Sequence, residues 1–306
     1  MRTTPPIMAT VIAAVIAAAP ATASPILGDS SARASHAAAP VVTNGLVLLT
    51  GNDGIWVAYP DGTGKRRVFS GSGITEAVFS PDGKRIAFAW AVGYNQDIYT
   101  MPTSGGSLTR VTTNPEWDYN PQWSGDGKKI AFSSMRGWGD MYQINSSAPF
   151  GKPTNLSNST DGGGPCVGSY GPSEVHFLWH PATKKMIVNW WCENYEDYSI
   201  YDGFFNYGTR TWGRDLNVNM TRGDFSPDGL RLAYSYGPIK IRSVATGSTQ
   251  TLPDVGVSNP IWSPDGKLFA TRKGNGTAMD AYFVRTDGTR LRLFLNGLAP
   301  VDWAAR

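Results

Sequence analysis

From residue 44 onward, short runs in which apolar and polar positions alternate one by one are separated by clusters of Gly, Pro, Asp and Ser. Alternation with a period of two is the mark of a half-buried strand, and those clusters are turn formers. One pattern recurs: FSPDGKRIAF at residues 79–88, WSGDGKKIAF at 123–132, FSPDGLRLAY at 225–234 and WSPDGKLFAT at 262–271. In each copy an aromatic closes one strand, a four-residue turn follows, and an apolar alternation opens the next. Ser suits the first turn position because its hydroxyl bonds the backbone ahead, Pro presets φ at the second, Asp fits the third, and Gly accepts the left-handed conformation of the fourth. The turn residues are thus Asp82 and Gly83, Asp126 and Gly127, Asp228 and Gly229, and Asp265 and Gly266.

Aligning the aromatics gives six anchors, Phe79, Trp123, Trp179, Phe225, Trp262 and Trp303, spaced 37 to 56 residues apart. The third unit departs from the pattern, with His180-Pro181-Ala182-Thr183 in place of the turn, and the sixth stops after one strand. Within the first unit further strands are predicted at 86–90, 97–101 and 108–112. Four antiparallel strands in about 40 residues make one blade of a propeller. Three strands precede the first anchor and one lone strand, 300–306, follows the last full unit. The prediction is an all-β, six-bladed β-propeller of four-stranded antiparallel blades over residues 42–306, closed by pairing the C-terminal strand with the N-terminal three, so that no sheet edge stays open.

The [FW]-S-x-D-G-[KL]-x-[ILF]-A pattern resembles the PD40, or WD40-like, repeat of TolB-like propellers, and the resemblance covers nearly the whole chain after the leader. It implies the propeller domain only, because residues 24–41 leave no room for a further N-terminal α/β domain. It also implies a working face. Blade-to-blade connections and second-to-third-strand loops surround one mouth of the channel, whereas the Ser-x-Asp-Gly turns face away.

Composition adds the compartment. Arg2 precedes a small apolar run at 7–19, and Ala21-Thr22-Ala23 fits a signal-peptidase site, so residues 1–23 read as a signal peptide and 24–41, rich in Ala, Ser and Pro, as a disordered leader. The expected location is secreted or periplasmic. No later run approaches the ~20 apolar residues of a membrane span. The net charge is +3, with Lys and Arg scattered rather than clustered, which argues against nucleic acid as a partner. Cys166 and Cys192 form a candidate disulfide in an exported chain.

Candidate chemistry gathers on the mouth loops. Trp90, Tyr94, Trp117, Asp118, Tyr119, Trp138, Trp190, Trp191 and Tyr195 lie in or beside them, and flat aromatics with polar neighbours suit a peptide, a protein or a glycan. The expected function is a binding module, acting as a monomer. The alternative is a carbohydrate-active hydrolase or lyase using Glu193, Glu196 or Asp197, since glycoside hydrolysis needs two carboxylates. There is no G-x-S-x-G, H-E-x-x-H or phosphate-binding loop, and only three His. Neither a metal nor a cofactor is expected, because each turn Asp is accounted for by its own turn.

Overall fold

The computed structural model describes residues 44–305 apart from 137–139, 158–171, 182, 184, 194–197, 207–208, 210, 216–221, 236, 275–278 and 290. For strand residues 172–176, 189–193, 198–202, 204, 211–212 and 214–215 it describes the backbone alone. The signal peptide and leader, like Trp138, Tyr195, Glu196, Asp197 and Cys166, lie outside the described residues.

Twenty-four strands form six four-stranded antiparallel sheets. The first three strands are β1 (Asn44–Gly51), β2 (Gly54–Ala58) and β3 (Arg66–Ser70). Blade 1 is β4 (Ile74–Phe79), β5 (Arg85–Val92), β6 (Asn95–Pro102) and β7 (Thr109–Arg110); blade 2 is β8 (Asp118–Trp123), β9 (Lys129–Ser134), β10 (Asp140–Asn145) and β11 (Thr154–Asn155). Blade 3 is β12 (Pro172–Trp179), β13 (Lys185–Glu193), β14 (Tyr198–Asn206) and β15 (Thr211–Asp215). Blade 4 is β16 (Gly223–Phe225), β17 (Arg231–Ser235), β18 (Ile239–Ser243) and β19 (Thr249–Thr251). Blade 5 is β20 (Ser258–Trp262), β21 (Leu268–Lys273), β22 (Asp280–Arg285) and β23 (Arg292–Leu295), and β24 (Ala299–Ala305) follows. The sheet order β24-β1-β2-β3 makes blade 6 from both ends of the propeller, as the strand pattern predicts, with Val47 opposite Trp303 and Thr50 opposite Ala299. The strands that end in the anchors, β4, β8, β12, β16, β20 and β24, touch one another in succession and close the ring.

Each Ser-x-Asp-Gly turn satisfies itself. Ser80 Oγ donates to Asp82 Oδ1 at 2.6 Å and accepts from the Arg85 amide at 2.9 Å, while Asp82 Oδ1 accepts from the Lys84 amide at 3.1 Å. Gly83 has φ of 67°, a conformation that costs glycine little. The same Ser-to-Asp bond recurs at Asp126, Asp228 and Asp265. Blade 3 solves the problem differently: His180 Nε2 lies 3.0 Å from the Gly229 carbonyl, in the turn of blade 4, and its ring packs 5.0 Å from Phe225.

The apolar alternation fills six clusters, one at each blade interface. In β5, Ile86 and Phe88 pack toward blade 6 whereas Ala87 and Ala89 face blade 2 and its Trp123. The small residue leaves room for the next blade's indole. Ala131 beside Trp179, Ala233 beside Trp262 and Ala270 beside Trp303 repeat the arrangement. Where the spacer is larger the anchor shrinks: Ile187 meets Phe225 and Leu48 meets Phe79. Close packing demands this volume exchange, because an interior at crystal density has no room for Ile against Trp in the same gap. Two turn-adjacent guanidiniums add to the interface, Arg85 lying 5.0 Å from the Trp123 ring and Arg231 4.6 Å from that of Trp262.

Candidate functional site: the channel and its mouth

Three residues before the anchor, the innermost strand leaves regular β geometry in three blades. Glu76, Asn120 and Asn259 have φ of 54°, 50° and 53°, the left-handed region. At each of them the pairing with the second strand slips, between Thr75 and Val78, Tyr119 and Gln122, and Ser258 and Ile261. These are β-bulges, which re-aim a side chain. Asn tolerates the conformation; Glu pays more for it. The bulged side chains line a cavity of about 100 Å³ on the channel, to which all six blades contribute, among them Phe177, Arg222 and Pro300.

Carboxylates bridge the inner strands. Glu76 Oε2 accepts from the Asn120 amide at 2.5 Å, carrying blade 1 to blade 2, and Oε1 lies 3.4 Å from Arg222 Nη2 of blade 4. Asp224 Oδ2 accepts from the Trp262 amide at 2.8 Å, and Asp302 Oδ2 from the Phe79 amide at 2.6 Å. Both Asp residues directly precede an anchor, in the position of the cavity-lining Val78, Gln122, Leu178 and Ile261. Burial pushes the Asp224 carboxyl up to about 7, with the charge of Asp302 adding to it, and pushes Asp302 up to about 6. The bonds from backbone amides act the other way and do not win. On the bulge level, the Asn259 amide is assigned by its hydrogen bonds: its oxygen faces Arg272, accepting from Nη2 at 3.0 Å and Nε at 3.2 Å. Burial, reinforced by the nearby Arg222, lowers the pKa of Arg272.

The aromatic residues named from the sequence divide by environment. Tyr94 is fully exposed and Trp117 is 53% exposed, and the two are tied together by the Trp117 indole, which donates to the Tyr94 carbonyl at 2.9 Å. Trp117 directly precedes β8, whose Asn120 lines the cavity, and Tyr94 lies in the loop between β5 and β6. Trp90 is half-buried: its indole donates to the Ser72 carbonyl at 2.9 Å, and it packs edge-on to Phe69 and Tyr99. Asp118 is fully buried and held by both oxygens to Arg136 Nη2, at 2.8 and 2.7 Å, while Tyr119 is buried in the interface of blades 1 and 2. Trp190, Trp191, Cys192 and Glu193 lie on β13, where the backbone sets Cys192 opposite Pro172 and Ser199. The disulfide and the acidic trio depend on residues outside those described.

Sequence reasoning passed over Glu76, Arg222, Asp224 and Asp302. The signal was present as a fixed offset: Glu76, Asn120, Arg222, Asn259 and Pro300 all stand three residues before an anchor. Among the described residues no group of three or more His, Cys, Asp or Glu could hold a metal ion, and no helix is long and apolar enough to cross a membrane.

Comparison with known proteins agrees with this architecture. Residues 36–165 match the profile of the Tricorn protease N-terminal beta propeller domain. The chain is 32% identical over 66 residues to the Tol-Pal system protein TolB of Francisella tularensis subsp. mediasiatica (strain FSC147), which is 22% of this chain and 15% of that protein. The TolB of Francisella tularensis subsp. holarctica (strain OSU18) gives the same figures. The match thus spans about 15% of the length of these curated relatives. Among solved structures, TolB from Acinetobacter baumannii superposes with a TM-score of 0.67 at 22% identity, over 85% of this chain and 66% of that one. The putative TolB from Agrobacterium tumefaciens gives 0.62 at 16%, over 86% and 98%. A chain of a nidogen/laminin complex also gives 0.62, at 11% identity. These likenesses carry the fold: the chain holds a TolB-like propeller domain.

Proposed function

We propose that the chain is a secreted or periplasmic binding module whose partner, a protein, peptide or glycan, docks on the loop face over the channel mouth, with Trp117 and Tyr94 as its anchors. The observation that carries this reading is the exposure of that pair, with the Trp117 indole held by the Tyr94 carbonyl. A large aromatic left in water costs free energy, and one that is also held in place by an indole-to-carbonyl bond loses little entropy when a partner covers it. Val92 and Met135, both exposed, belong to the same blades and extend the apolar surface. The likeness to TolB propellers supports the assignment to a binding fold, and the signal-like residues 1–23 support export.

Glycan-array and peptide-library binding by the purified protein tests the reading. Trp117→Ala and Tyr94→Ala are each expected to weaken the best binder about tenfold or more, the usual consequence of losing an interface hot spot. Binding indifferent to both changes overturns the assignment. Turnover of a polysaccharide that is lost in Glu193→Gln or Asp197→Asn replaces it with the hydrolase reading.

A further inference from the structure

We propose that the cavity below the mouth is a receptor for a single carboxylate group, with the Arg222 guanidinium and the Asn120 side-chain amide as its donors and Glu76 as an internal competitor. The inference deepens the binding-module reading by giving the chemical class of the group that enters the channel.

Three observations converge. First, Asn120 is only 6% exposed, and its Nδ2 has no hydrogen-bond partner among the described residues. A buried amide N–H₂ is costly unless something accepts from it, and the residue that carries this one lines the cavity. Second, Arg222 lines the same cavity and reaches Glu76 only through one nitrogen at 3.4 Å. Its planar fork of donors matches a carboxylate, and most of that fork is unspent among the described residues. Third, Glu76 is prevented from closing on Arg222. Its other oxygen is held at 2.5 Å by the Asn120 backbone amide, and its own backbone sits at φ of 54°. Left-handed conformations of non-glycine residues persist where the surroundings over-determine them, and they concentrate at ligand sites.

Size and charge select the ligand group. A cavity of about 100 Å³ is somewhat smaller than the ~150 Å³ that admits a benzene ring, so it takes an acetate-sized group and not a side chain of aromatic bulk. The lining sets the positive charge of Arg222 against the negative charge of Glu76, with Asp224 and Asp302 in the same channel wall, so a monoanion is opposed less than a phosphate dianion.

Titration of the folded protein with acetate, followed by the NMR signals of the Arg222 guanidinium and the Asn120 side-chain amide, tests the proposal, with inorganic phosphate and ethylammonium as competing probes. Saturable shifts with acetate, weaker ones with phosphate and none with ethylammonium are expected. Arg222→Gln should abolish saturation, Arg222→Lys should keep a weakened form of it, and Glu76→Gln should tighten acetate on the order of tenfold by removing a like charge. Circular dichroism confirms that each variant is folded. The proposal is overturned by absence of saturation in the parent protein, by a folded Arg222→Gln variant that binds acetate as well as the parent, by weaker binding in Glu76→Gln, or by a preference for phosphate or ethylammonium. Acetate binding without any macromolecular partner sinks only the earlier reading; a partner docked through Trp117 without acetate binding sinks only this one.

Discussion

The chain uses carboxylates in two opposite ways, at the two levels of the same hairpin. In the turns, Asp82 bonds groups two residues away, and so do Asp126 and Asp228. In the channel wall, Asp224 reaches an amide 38 residues on, Glu76 one 44 residues on, and Asp302 one 223 residues back. The turn carboxylates of Asp82, Asp126 and Asp228 are held below the usual range, chiefly by the neighbouring Ser hydroxyl, because they stay wet and gain donors. Asp224 and Asp302 are pushed above it, because burial costs more than a single amide returns. A carboxylate beside water can be spent on shaping a turn. One inside the ring joins separate blades and brings a desolvation cost with it.

The largest effect that would sharpen this contrast belongs to Asp224. Its folded pKa of about 7 exceeds the ordinary 3.8, so the native state binds more protons than the unfolded state between those values, and stability falls as pH rises through that window. Asp224→Asn keeps an oxygen for the Trp262 amide and removes the titration. Relative to the parent it should gain up to about 4 kcal/mol between pH ~4 and pH ~7, read from urea unfolding at a series of pH values. Parallel pH profiles for the two proteins would break the comparison.

A smaller effect is expected at the seam. At pH ~5, below its value of about 6, Asp302 is mostly neutral, and Asp302→Ala should cost about 2 kcal/mol by leaving the Phe79 amide without its acceptor. At pH ~8 the cost should shrink, since a buried charge leaves with the side chain. A cost that grows with pH would count against burial as the cause.

The smallest effect is expected in a turn. Asp82→Ala removes an acceptor from Ser80 and from Lys84 and should cost about 1 kcal/mol. Its pH dependence has the reverse sign. The contribution is present above the ordinary carboxylate pKa and is lost as pH falls through the lowered folded value. Thermal melts at pH ~7 and pH ~2 would show the difference vanish at the acid end.

The same contrast explains what could be read from the chain in advance. The Ser-x-Asp-Gly turns and the alternation of β5, β9, β17 and β21 are local, repeated and chemically self-explanatory, so the blades, their number and the closing pair β24 and β1 follow from spacing alone. Asp224 and Glu76 stand at fixed offsets from an anchor, but the offset does not name the partner, since each is defined by an amide on another blade and only the ring brings that amide near. The exchange of Ala87 with Trp123 against Leu48 with Phe79 lies between these extremes. Both members stand in the repeat, yet their complementarity shows only when one unit is laid beside the next. Among the mouth residues, spacing placed Trp117 and Tyr94 on the loops but could not distinguish them from Asp118, whose partner Arg136 lies across a hairpin and buries it.

The pairing of Val47 with Trp303 also sets an order in time. An arc of five blades can assemble as its residues become available, but residues 299–305 bring the last inner strand, the Asp302 acceptor and the Trp303 indole together. Until they arrive, β1 presents an unpaired edge and the Phe79 amide of β4 lacks its acceptor; an open strand edge is the kind of surface on which chains aggregate. Joining segments so far apart costs loop entropy before any contact offsets it. The channel is complete only when the arc becomes a ring.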